Sequence, residues 1–200
     1  ELEGRQGPLM KDNSSYQEAF LSSLPFDLTS AQKRVWEEIR ENLLADVPMR
    51  RLLQGDVGSG KTLIGALAAL HTKSNDWQTA LLCPTEILAE QHFSSFKGWF
   101  ENVGIKVCLL TGSTKSKDRR LIIEDIETGN IDILIGTHAI FQLGVNFHKL
   151  GLTIIDEQHR FGVHQRFSML EKGGANNQSP HQLIMTATPI PRTLAMTVYG

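Results

Sequence analysis

The run Gly55-Asp56-Val57-Gly58-Ser59-Gly60-Lys61-Thr62 matches G-x-x-x-x-G-K-[ST] at every fixed position, and its flanks restrict the fold more than anything else in the chain. Leu52-Leu53 before it reads as the end of a buried strand. Leu63, Ile64, Leu67, Ala68 and Leu70 after it recur at helical spacing. The order is strand, tight glycine loop, helix. Glycines at 55, 58 and 60 let the backbone, Asp56, Val57 and Ser59 included, turn its N–H groups toward one point, and the new helix directs the positive end of its dipole there. Such a cradle is matched to the phosphates of a nucleoside triphosphate, with Lys61 reaching the β- and γ-phosphates and the Thr62 hydroxyl ligating Mg²⁺.

The rest of the chain supplies the sheet that such a loop needs. Apolar strand patterns fall at 52–54, 79–83, 106–110, 132–135, 152–155 and 182–185, and most connecting segments carry helical periodicity. Leu88, Phe96, Trp99 and Phe100 share one such segment; Leu121, Ile122 and Ile126 share another. Strands alternating with helices predict an α/β fold, a parallel sheet with helices on both faces. Ligands in such folds sit beyond the carboxyl ends of the strands. A further helix is predicted over 30–44, where Thr29 and Gln32 have capping-box spacing and Val35, Ile39 and Leu43 follow at intervals of four. Residues 1–25 lack a sustained period and read as an arm or linker with a short helix at 16–21, leaving 26–200 as one domain. The stretch 171–180 reads as a polar loop.

Composition narrows the function classes. With 40% apolar residues in 200, the chain can bury one sizeable core. No apolar run approaches the roughly 18 residues needed to cross a bilayer, and the first residues resemble no signal peptide, so a soluble, cytoplasmic protein without a membrane partner is expected. Cys83 and Cys108 lie in strand-like runs without metal-ligand spacing and are expected to be buried thiols. The net charge of −2 gives no global basic footprint for nucleic acid.

Two further segments carry chemistry. Leu152-Thr153-Ile154-Ile155 ends in Asp156-Glu157-Gln158-His159, and paired acids at the tip of a buried strand are costly unless a cation or a reaction occupies them. Beside a phosphate loop, Asp156 is the expected holder of Mg²⁺ and Glu157 the expected base for the attacking water. Met185-Thr186-Ala187-Thr188-Pro189 follows another strand, and its hydroxyls are placed to sense whether the acids are engaged.

Motifs 55–62, 156–159 and 186–188, in this order, resemble motifs I, II and III of superfamily 2 helicases and translocases. Their extended forms, through Arg160-Phe161-Gly162 and Ile190-Pro191-Arg192-Thr193, resemble those of the RecG family of bacterial branched-DNA helicases. Transcription-repair coupling factors are the neighbouring family; they usually carry Glu at the position of Gln158 and Phe at that of Ser59. The resemblance implies a RecA-like first motor domain, ATP and Mg²⁺ as cofactors, and an ATP-driven translocase that works on replication forks and Holliday junctions in recombination and repair. It also implies that Phe26 and Gln32 recognise adenine, that Thr186, Thr188 and His159 couple the nucleotide site to the motor, and that three segments touch the DNA backbone: Pro84-Thr85, Thr111-Gly112-Ser113 and Gly136-Thr137-His138. Hydroxyls and free N–H groups at loop-to-helix junctions grip phosphate without a base code, so the DNA contact would be sequence-independent. A second RecA-like domain and a wedge domain are implied as partners in the same parent chain, with these 200 residues expected to be weakly active or inactive alone. A phosphate-loop kinase and a non-catalytic module are the rival classes.

Overall fold

The computed structural model describes residues 6–55, 60–138, 140, 144–157 and 179–186. Six strands form one sheet: β1 (Arg50–Gln54), β2 (Gln78–Leu82), β3 (Val107–Leu110), β4 (Ile133–Gly136), β5 (Leu150–Asp156) and β6 (His181–Thr186). Their spatial order is β1-β6-β5-β2-β4-β3, and every pairing is parallel. Five helices are described: α1 (Ser15–Ser23), α2 (Ser30–Leu44), α3 (Lys61–Ser74), α4 (Glu86–Phe100) and α5 (Ser116–Glu127).

Alternation along the strands splits the core into two layers. Leu81, Ile133, Ile135, Leu152, Ile154, Leu183 and Met185 face a cluster completed by α1 to α4. Ala80, Leu82, Leu110 and Leu134 face the opposite way, toward Ile126 of α5. A period of two on every strand is what places helices on both faces. α3 carries no polar stripe over Leu63–Leu70, and all eight residues there are buried, which fits a helix packed on every side.

Local signals explain the ends. α2 begins at a capping box in which Gln32 N–H donates to Thr29 Oγ1 (3.1 Å) and Thr29 N–H donates to Gln32 Oε1 (2.9 Å). β5 runs longer than the 152–155 expected, because Leu150 already pairs with Gln78 across the sheet. Gly136 ends β4 where a Cβ would lie 2.2 Å from the Leu110 carbonyl oxygen, so only glycine lets these neighbouring strands approach.

The stretch read as an arm lies against the domain from residue 6 onward. Gly7 N–H donates to the Asp46 carbonyl (2.7 Å), Lys11 N–H to Asn75 Oδ1 (2.7 Å), and Phe20 of α1 stands edge-on to Trp99 and Phe100 at 5.6 Å from each centroid. Single anchors such as Met10 and Phe20, both buried, create no period that a sequence scan detects. Cys83 is fully buried, whereas Cys108 on the edge strand β3 is half-buried. Burial pushes both thiols up and keeps them unreactive.

Candidate functional site

Three consecutive strands bring the chemistry of 55–62, 156–157 and 186 together. Gln54 is in register with Thr186, and Gly55 N–H donates to the Thr186 carbonyl (3.2 Å). On the other side of β6, Asp156 is in register with Met185, and Glu157 N–H donates to the Met185 carbonyl (2.8 Å). Neighbouring strands lie about 4.8 Å apart, so β1 and β5 are separated by roughly 10 Å with Thr186 between them. That span suits a triphosphate.

The loop delivers Lys61 and Thr62 into this space. Gly60 has φ of 87°, the left-handed region, and is the N-cap of α3 without a side-chain cap. Lys61 Nζ donates to the Gly55 carbonyl (2.8 Å), so the ammonium curls back over the loop's first residue. A cavity of about 430 Å³ opens here, lined among others by Phe26, Gln32, Lys61, Thr62, His92, Trp99 and Asp156.

Phe26 is 53% exposed at the cavity wall, which leaves ring surface open for stacking. Gln32 has two duties. Its Oε1 closes the capping box, while its amide nitrogen sits over the loop, where a Cβ on Gly60 would lie only 2.2 Å away.

Asp156 is 4% exposed, and its Oδ2 accepts from His92 Nε2–H at 2.8 Å. His92 was not singled out in the sequence, yet a signal for it exists. It lies four residues after Leu88 and four before Phe96, a polar side chain in an apolar stripe. Gln91 and Trp99 of the same helix also line the cavity.

The residues present fit a magnesium nucleotide. A carboxylate and a hydroxyl share the cavity with an ammonium, and Mg²⁺ is characteristically held by one or two protein oxygens together with nucleotide phosphates rather than by an all-protein cage. No group of three or more His, Cys, Asp or Glu that could hold a metal ion occurs among the described residues.

The remaining strands, β2, β4 and β3, end in the other expected contacts. Thr85 is the N-cap of α4, and its Oγ1 accepts from Leu88 N–H (3.2 Å). Glu86 accepts from Ser113 N–H (3.1 Å) and Ser113 Oγ–H (3.2 Å), which ties the first turn of α4 to the 111–114 loop. Thr111 and Thr137 are each only 3% exposed, so the exposed parts of these segments are Thr85, Gly112, Ser113 and His138. Pro84 is half-buried beside them, and Gly136 is buried. Arg119 of α5 donates to the carbonyls of Thr114 (2.9 Å) and Gly112 (3.4 Å) and so shapes the loop. Asp56, Val57, Gly58, Ser59, His159 and Thr188 lie outside the described residues.

Comparison with known proteins agrees with this geometry. A family model described as DEAD/DEAH box helicase matches residues 29–197, and the chain belongs to that family. It is 59% identical over 181 residues to the ATP-dependent DNA helicase RecG of Haemophilus influenzae, covering 90% of this chain and 26% of that protein. It is 56% identical over 188 residues to the Escherichia coli K12 protein of the same name, covering 94% and 27%. A solved structure of RecG bound to a three-way DNA junction superposes with a TM-score of 0.85 at 45% identity, over 98% of this chain and 26% of that one. The chain thus spans about a quarter of the length of these relatives. No helix among the described residues is long and apolar enough to cross a membrane.

Proposed function

We propose that this DEAD/DEAH box helicase domain is the ATP-binding half of a DNA translocase that acts on branched DNA, regressing replication forks and moving Holliday junctions. The observation that carries the reading is the cavity shared by Lys61, Thr62 and Asp156, beside the neighbouring ends of β5 and β6 that carry Glu157 and Thr186. The likeness to RecG, one solved structure of which is bound to a three-way DNA junction, supports branched DNA as the substrate.

Each residue then has a task. The α3 N-terminus and Lys61 bind and orient the β- and γ-phosphates, with residues 56–59 completing the loop. Thr62 and Asp156 would hold Mg²⁺, which would supply neutralisation of charge developing on the phosphates. Glu157 takes a proton from the attacking water. Phe26 stacks on adenine, and the Gln32 amide faces the base edge. Thr186 sits between the phosphate loop and the acids in the backbone ladder, which suits it to register their state; Thr188 and His159 extend that relay.

Pro84, Thr85, Thr111, Gly112, Ser113, Gly136, Thr137 and His138 form the DNA edge, with sequence-independent grip through hydroxyls and N–H groups. Because these 200 residues correspond to about a quarter of the relatives, a second RecA-like domain supplying arginine fingers and a wedge domain that splits the fork are the expected partners in one cytoplasmic polypeptide. Loss of such a finger lowers turnover by about 10³- to 10⁵-fold, so residues 1–200 alone are expected to hydrolyse ATP poorly.

The test is ATP hydrolysis by the complete protein with forked, linear and no DNA. Turnover that rises most with forked DNA is expected. Turnover indifferent to DNA would point instead to a phosphate-loop enzyme of another class.

A further inference from the structure

The nucleotide strands and the DNA strands meet on one helix. α4 starts beside the DNA edge, where Glu86 is tied to Ser113, and six residues further on, about 9 Å along the helix axis, it presents His92 to Asp156. Both members of that pair are buried, at 9% and 4% exposure. A carboxylate accepts, so the ring donates through Nε2–H. Oδ2 of Asp156 is thereby occupied from the side of α4, and the carboxylate is fixed in rotation with Oδ1 as its other oxygen.

We propose that His92 is a positioning residue: it sets the orientation of the Asp156 carboxylate for the cation, and, riding on α4, it links that orientation to the DNA edge through the Glu86–Ser113 contact. The inference rests on the assignment of Asp156 to Mg²⁺ given above. A hydrogen-bond partner that orients a metal-binding carboxylate is commonly worth about tenfold or more in metal affinity. The bond to Asp156 is what calls for a donor at 92.

The experiment uses the complete protein and two polar variants. Glutamine can carry a donor to the place of Nε2, whereas asparagine is too short to reach it. Binding of a fluorescent ADP analogue is titrated with Mg²⁺, without DNA and without turnover, and ATP hydrolysis with forked DNA is measured separately. For His92→Asn, the Mg²⁺ concentration giving half-maximal enhancement of nucleotide binding should rise about tenfold, with Mg²⁺-free binding within about twofold of wild type. His92→Gln should restore most of it. Stimulation of turnover by forked DNA should fall about threefold or more in His92→Asn. Equal Mg²⁺ dependence of His92→Asn, His92→Gln and wild type would overturn the proposal, as would equal impairment of the two variants. The wider functional reading fails on a different result, a wild-type protein whose ATP turnover ignores DNA.

Discussion

Two groups of loops stand side by side on the carboxyl edge of this sheet, and they are held in different ways. At the ends of β2, β4 and β3 the loops are braced by their own side chains: Thr85 caps α4, Glu86 grips Ser113, Thr114 Oγ1 accepts from Thr111 N–H at 3.0 Å, and Arg119 spans the loop. At the ends of β1, β6 and β5 the polar side chains converge on a cavity. The contrast teaches what each half is prepared for. A surface that follows a repeating backbone gains from loops already in shape. A site that changes ligand with every cycle gains from groups able to exchange partners, and the Lys61 ammonium, which rests on the Gly55 carbonyl, is the group proposed to do so.

The largest expected effect separates the two halves completely. Lys61→Ala and Glu157→Gln should each lower ATP turnover about 10³-fold, Lys61 through lost charge stabilisation and Glu157 through lost proton transfer, with affinity for forked DNA within about twofold of wild type. Parallel measurement of hydrolysis and DNA binding checks this. Equal losses in both would break the division.

On the DNA side, the strongest change is Gly136→Ala. A Cβ there meets the Leu110 carbonyl oxygen at 2.2 Å, a backbone atom that cannot swing aside. Prying β3 from β4 should cost about 3 kcal/mol, visible in urea unfolding, and hydrogen exchange should quicken first in peptides covering 107–114.

Acid should act on the opposite half. His181 on β6 is fully buried, and burial pushes its imidazole down to about 4; burial likewise lowers His71 on α3, whose two ring nitrogens have no hydrogen-bond partner among the described residues. Both are held neutral when folded and gain a proton when unfolded. Their contribution is therefore full above about pH 6.5 and is lost as pH falls below it, for His181 down to about 4 at up to about 1.4 kcal/mol per pH unit. Hydrogen exchange at pH 5 against pH 7.5 should loosen α3 and β6 before β3 and β4. His71→Leu should shrink the difference.

The smallest effect sharpens the nucleotide half alone. Thr29→Ala removes one side of the capping box and should cost about 1 kcal/mol. Because Thr29 N–H still donates to Gln32 Oε1 in that variant, discrimination between adenine and guanine nucleotides should stay as in wild type, which competition binding reports.

How much of this was readable beforehand follows from the range of each signal. The phosphate loop, the acids at the end of β5 and the helix over 30–44 are local patterns, and the structure places α2 at Ser30–Leu44 with its capping box formed. The parallel sheet followed from alternation of elements. Strand order did not, because it depends on which edges pair across gaps of a hundred residues or more, as β1 does with β6. The docking of α1 was invisible for the same reason: Phe20 has meaning only once Trp99 and Phe100 are beside it. His92 was hidden by being one polar residue in an apolar stripe. Thr111 and Thr137 carry the hydroxyls expected at a DNA edge, yet both are nearly buried, since a strand end turns alternate side chains inward.

Hydrogen exchange of the complete protein, recorded once with Mg²⁺-ADP and once with forked DNA, tests the division of the sheet edge most directly. Nucleotide should protect peptides covering 55–64 and 154–157, and DNA those covering 84–88, 111–114 and 136–140. Protection of the same set by both ligands, or the reverse assignment, would contradict the account.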